Sequence, residues 1–138
     1  MPSPVVHFEI AGRNPKKLQR FYRTLFGWKI DANNPIGYGL VKKGPGGIGG
    51  GISKNAKPYV TIYAAVPNPQ KMLDAAKRAG GKVLVPVTDV PGMVRFAMFA
   101  DPEGNCVGVV ANKTPPAPKA KPKAKAKAKA KAKAKRPR

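Results

Sequence analysis

Residues 5–30, VVHFEIAGRNPKKLQRFYRTLFGWKI, return in altered form as residues 59–84, YVTIYAAVPNPQKMLDAAKRAGGKVL. An ungapped offset of 54 lays Val6 on Val60, Asn14-Pro15 on Asn68-Pro69, Lys17 on Lys71, Leu18 on Met72 and Gly27 on Gly81. Self-similarity on this scale sets the architecture before any single element is assigned. A chain of 138 residues has room for one ordinary domain, or for two small modules that share a core. The repeat selects one module used twice.

Within the first copy, residues 5–11 alternate as a strand, Val6, Phe8 and Ile10 on one face and His7, Glu9 and Ala11 on the other. Asn14 then suits a helix N-cap, Pro15 the first helical position, and Gly27 a left-handed stop. Leu18, Phe21, Tyr22, Leu25 and Phe26 form one apolar stripe between them, which predicts a helix packed on the Val6/Phe8/Ile10 face. His7 and Glu9 are thereby left on the face turned away from the helix. Short strands are predicted at 28–31, 38–43 and 48–53, so the module reads β-α-β-β-β. The run GPGGIGGG lacks the Lys-Ser/Thr pair and following helix of a phosphate loop. A hinge or tight strand crossing is the simpler expectation.

The second copy predicts the same order: a strand at 59–66, a helix from Asn68-Pro69 with Met72, Leu73, Ala76 and Ala79 inward, and strands at 82–87, 94–100 and 106–111. Turns are expected at DVPG and DPEGN. The modules span 4–54 and 58–111 of a domain at 4–112, an α+β fold.

Charge is distributed unevenly. Of 27 Lys and Arg, twelve lie in residues 113–138 with no acid among them, leaving fifteen against six Asp and Glu in the body, or +9 of the total +21. The segment TPPAPKAKPKAKAKAKAKAKAKRPR has no large apolar residue and builds no core, so a disordered basic tail is expected. One cysteine, Cys106, excludes an intrachain disulfide and a multi-cysteine zinc site. Neither a secretory leader nor a membrane span is expected from the apolar runs.

Paired modules of this order, a His on the first strand, the run FYRTLFGWKI and the late RFAMFADPEGN resemble the vicinal oxygen chelate superfamily. That group includes glyoxalase I, bleomycin-resistance proteins and extradiol dioxygenases. The resemblance implies a curved-sheet cup facing away from the helices, and in the enzymes a divalent metal held from the first and last strands of each module. His7 stands at the first ligand position. Its repeat partner is Thr61, Gly108 stands where a Glu is usual after DPEGN, and the first module ends in GGIGGGI. His7 is therefore the metal ligand if any is bound, and no cofactor is the leading expectation.

His7 and Glu9, two residues apart on one face, form either a structural pair, an acid/base dyad or, for His7, a metal or ligand contact. Thr61 and Tyr63 share the cup face through the repeat, and Arg95 on a later strand is a candidate for selecting an anionic ligand. These five are the candidate ligand-binding residues, His7 and Glu9 also the candidate catalytic ones. Cys106 reads as a small apolar residue, since His7 is the chain's one histidine and no second exists to activate it.

The tail points to non-specific nucleic-acid attachment through Lys119, Lys121, Lys123, Lys125, Lys127, Lys129, Lys131, Lys133, Lys135, Arg136 and Arg138. It is similar to the Lys-Ala-Pro tails of linker-histone-like proteins, and no aromatic interleaves the lysines for base stacking. The leading expectation is a small-organic-ligand-binding protein without a catalytic metal, homodimeric and cytoplasmic, on the nucleoid or in the nucleus according to its host. A metal-dependent lyase or dioxygenase using His7 and Glu9 is one alternative. A nucleoid-associated protein with a vestigial cup is the other.

Overall fold

The structure, a computed structural model, describes residues 2–116. The first module comprises β1 (Val5–Gly12), α1 (Pro15–Phe26), β2 (Ile30–Asp31), β3 (Gly39–Val41) and β4 (Gly49–Lys54). The second comprises β5 (Tyr59–Val66), α2 (Pro69–Arg78), β6 (Lys82–Val90), β7 (Val94–Ala100) and β8 (Cys106–Ala111). All eight strands join one mixed sheet in the order β2-β3-β4-β1-β5-β8-β7-β6. β1 and β5 run antiparallel at its centre, and each is flanked by the parallel last strand of its own module, β4 or β8. The duplication thus becomes a pseudo-twofold sheet, completed within one chain.

Both helices begin as the sequence predicts. The Asn14 and Asn68 side-chain oxygens each accept a backbone N–H three residues on, from Lys17 and Lys71 at 3.1 Å, with proline at the first helical position. Such a cap contributes about 1 kcal/mol. α1 ends at Gly27, whose φ of 69° lets its N–H reach the Arg23 carbonyl at 2.9 Å. At the end of α2, a side chain on Gly81 would come within 2.7 Å of the Ala100 carbonyl oxygen. Glycine there lets the chain pass close against β7.

Two apolar clusters lie between sheet and helices. Ile30, Val41 and Ile52 are buried with Phe8, Leu18, Tyr22 and Trp28 packed against them, and Val66, Leu73, Ala97 and Val109 form the counterpart beneath α2. One expectation fails. Of the α1 stripe, Leu18 and Tyr22 pack on the sheet, whereas Phe21, Leu25 and Phe26 are more than half exposed and the polar Gln19 is buried. The Gln19 amide fills the place a Gly39 side chain would take, and the Arg23 guanidinium donates to the Ile30 carbonyl at 2.6 Å. These two contacts draw the helix toward the outer strands and roll part of its stripe off the sheet.

Other differences are small. The strands expected at 28–31 and 38–43 shorten to Ile30–Asp31 and Gly39–Val41, and that at 82–87 lengthens to Val90. Ordered packing extends past the predicted domain end at 112, because Pro115 is buried and its carbonyl accepts the Gly92 N–H at 3.1 Å. The eleven nucleic-acid candidates from Lys119 to Arg138 lie outside the described residues. No helix among those described is long and apolar enough to cross a membrane.

Candidate functional site

Strand pleating places His7 and Glu9 on the face away from the helices. Across the β1–β5 pairing they meet Tyr63 and Thr61 respectively, and across β1–β4 they meet Gly49 and Gly51. Tyr63 in turn pairs with Gly108 on β8. The structure therefore brings four of the five candidate ligand-binding residues together at the sheet centre. Arg95 does not join them. It follows the parity of Ala97, which lies in the core under α2, and its guanidinium makes two bonds to the Asp89 carboxylate, at 2.6 and 3.0 Å. Arg95 helps line an open depression of about 580 Å³ beside the start of α2, while Phe96 and Met98 take the cup face near Tyr63.

Glu9 is only 6% exposed, although it stands on the concave face. Three phenols cover it. Tyr38 donates to one carboxylate oxygen at 2.7 Å, and Tyr59 and Tyr63 donate to the other at 2.5 and 3.1 Å. Burial, reinforced by the Glu9 charge, pushes the Tyr38 and Tyr63 hydroxyls well above the usual phenol range. For Tyr59 burial also leads, followed by its hydrogen bond to Glu9. All three remain protonated donors at any ordinary pH.

His7 touches this cluster indirectly. Its Nε2 lies 2.8 Å from the Tyr38 oxygen. The single Tyr38 proton is committed to Glu9, so the imidazole is the donor and its Nε2 carries hydrogen. The predicted pairing of His7 with Glu9 is thus relayed through a tyrosine. Burial lowers the His7 pKa from 6.5, with the Glu9 charge opposing that in part. The Thr61 hydroxyl turns aside and donates to the Cys106 carbonyl at 2.5 Å. The Cys106 thiol itself is pushed upward, chiefly by burial, the opposite of what a nucleophile needs.

Two glycines make room for the phenols. A Cβ on Gly51 would overlap the Tyr38 ring, and one on Gly108 would overlap the Tyr63 ring. Tyr38 is aimed by its own loop, where the Asn34 side chain bonds both its backbone N–H, at 2.9 Å, and its carbonyl, at 2.6 Å. The sequence reading missed Tyr38 and Tyr59. For Tyr38 the available signal was the glycine at Gly51 within a strand, a mark of close approach by another group; Tyr59 has no glycine of that kind beneath it.

Two β-α-β-β-β modules sharing one continuous sheet, with polar side chains gathered on its concave centre, define a glyoxalase-like cup protein. The family model for the Glyoxalase/Bleomycin resistance protein/Dioxygenase superfamily matches residues 5–109, and the chain belongs to that family. It is 28% identical over 102 residues to the protein CFP32, named as a glyoxylase, of Mycobacterium tuberculosis and Mycobacterium bovis. That alignment covers 66% of this chain and 39% of the relative, so the chain spans about two fifths of the length of the curated relatives it matches.

Among solved structures, methylmalonyl-CoA epimerase from Mycobacterium tuberculosis superposes with a TM-score of 0.57 at 14% identity, over 83% of this chain and 89% of that one. The Mn(II)-bound glyoxalase from Novosphingobium aromaticivorans gives 0.59 at 16% identity, over 86% of this chain and 42% of that one. At such identities the likeness shows the fold alone.

The side chains here do not match the donor set of a metal-binding member. Gly108 and the GGIGGGI segment offer no side-chain donor, and tyrosine rings fill the space above Gly108 and Gly51. Thr61 spends its proton on a carbonyl, and both Glu9 oxygens are engaged. Among the described residues no group of three or more His, Cys, Asp or Glu gathers at one point. Divalent ions require several such ligands.

Proposed function

We propose that this protein binds a small organic ligand on the concave face between its modules, without a catalytic metal, and attaches to nucleic acid non-specifically through its basic tail. The observation that carries the first part is the Glu9 centre, where three phenol donors and two ring-covered glycines stand in place of a ligand set. An arrangement saturated with internal hydrogen bonds is rigid and preformed, which suits recognition. The tail reading rests on ten Lys and two Arg without an acid in residues 113–138. A dozen phosphate contacts would give log K against log salt a slope on the order of −10 on duplex DNA.

We also propose a homodimer, supported by Phe21, Leu25, Phe26 and Val60, which expose between 54 and 72% of their surface on the helix side. Native mass spectrometry of the full chain tests ligand, metal and oligomer together. One tightly held divalent ion per chain, lost on His7→Ala, would defeat the metal-free reading.

A further inference from the structure

Glu9 is a buried carboxylate, and among the described residues the salt bridge formed is Arg95–Asp89, far from it in the sheet. Among the described residues no lysine or arginine pairs with it, in a body that carries +9. An isolated buried charge is costly, and neutral hydrogen bonds offset only part of that cost. An inventory of protons gives the complement. The hydroxyl protons of Tyr38, Tyr59 and Tyr63 all go to Glu9, that of Thr61 goes to a carbonyl, and the His7 Nε2–H goes to Tyr38. These side chains therefore turn lone pairs toward a ligand, their own protons being spent within the cluster. An anion would find none of these protons free.

The surroundings suit a cation with an organic body. The rings of Tyr38, His7, Tyr63 and Phe96 succeed one another at centroid separations of 5.5 to 6.4 Å. Leu40, paired with Gly51 and 41% exposed, extends the same face with an apolar side chain. Aromatic faces attract ammonium and guanidinium groups, more strongly when water is excluded. We infer that the cup selects small organic cations, an ammonium or guanidinium group on an apolar or aromatic body, with the Glu9 charge as counterion behind its shell of phenols. This rests on the ligand-binding reading of the cup and specifies its ligand class, the opposite of the anionic class first suggested by Arg95.

Three probes of one shape separate the possibilities: benzylammonium, benzyl alcohol and benzoate, each titrated into the ¹⁵N-labelled full chain. The expected result is that benzylammonium shifts the backbone amides of His7, Glu9, Thr61 and Tyr63 and binds at least tenfold more tightly than benzyl alcohol, while benzoate leaves them unmoved. Glu9→Gln, with a folded spectrum, should lose at least that tenfold. Should that variant not fold, Tyr59→Phe retains the carboxylate with one donor fewer and should bind benzylammonium at least as well; a tenfold loss there would overturn the assignment to Glu9. Equal or tighter binding of the alcohol or the benzoate at these residues overturns the cation class and leaves the cup reading standing. If no probe moves any cup amide, both fall.

Discussion

Gly51→Ala isolates the contact on which the site depends. Gly51 lies in β4 without a positive φ, so alanine fits its backbone, but the added methyl would overlap the Cζ, Oη and Cε2 atoms of Tyr38. The ring must swing away. With it go the bond from Tyr38 to the Glu9 carboxylate and the bond it accepts from His7, at 2.7 and 2.8 Å. A hydrogen bond to a charged group contributes about 1.5–3 kcal/mol and a neutral one about 0.5–1.5. Loss of glycine's freedom in the unfolded chain returns about 0.4–1 kcal/mol. The net expectation is a loss of about 1–4 kcal/mol, a large share of a stability that is about 5–15 kcal/mol for a domain.

Urea unfolding measures this through Trp28, the chain's one tryptophan, which stands within 5.2 Å of the Phe8, Tyr22 and Phe26 ring centroids. Gly44→Ala is the control, since a methyl there meets nothing within 4 Å. In a Tyr38→Ala background, Gly51→Ala should cost less than about 0.5 kcal/mol, because its obstacle is gone. The reasoning is refuted if Gly51→Ala resembles Gly44→Ala, or if its cost is the same with and without Tyr38.

Burial lowers the His7 pKa below 6.5, so the unfolded chain binds the more protons between the two values. Stability should accordingly be full above pH 6.5 and fall as pH drops through that point toward the folded value. The urea midpoint of the parent should therefore decline more steeply from pH 7.5 to 5.5 than that of His7→Gln; parallel profiles would deny the burial effect. Asn14→Ala and Asn68→Ala should each lower stability by about 1 kcal/mol, and their sum in the double variant checks that the two caps, one per module, act independently. Truncation after Pro116 keeps the buried Pro115 and should abolish salt-sensitive duplex DNA binding; unchanged affinity would place that binding on the body.

Much of the fold was legible because its signals are local. Caps and stops act within a few residues, so Asn14, Pro15, Gly27, Asn68 and Pro69 marked helix ends without reference to the rest of the chain. Strand alternation likewise put His7 and Glu9 on one face, and the repeat carried that assignment to Thr61 and Tyr63. The α1 stripe misled because amphipathicity reports how much of a helix is apolar, while its roll is decided by specific contacts, here Gln19 at Gly39 and Arg23 at Ile30.

The site divides in the same way. By itself the sequence determined a duplicated β-α-β-β-β module, the placing of His7 and Glu9 on one strand face away from the helix, and the poverty of ligands at Thr61 and Gly108. Tertiary structure alone decided what surrounds Glu9. Tyr38 comes from a loop 29 residues away and Tyr59 from a strand 50 residues away, and no periodicity encodes a meeting of that kind. It also decided that Arg95 turns from the cup to Asp89. Pleating fixes which residues alternate, but which face is concave, and which distant rings find room above a glycine, depends on the whole sheet being assembled.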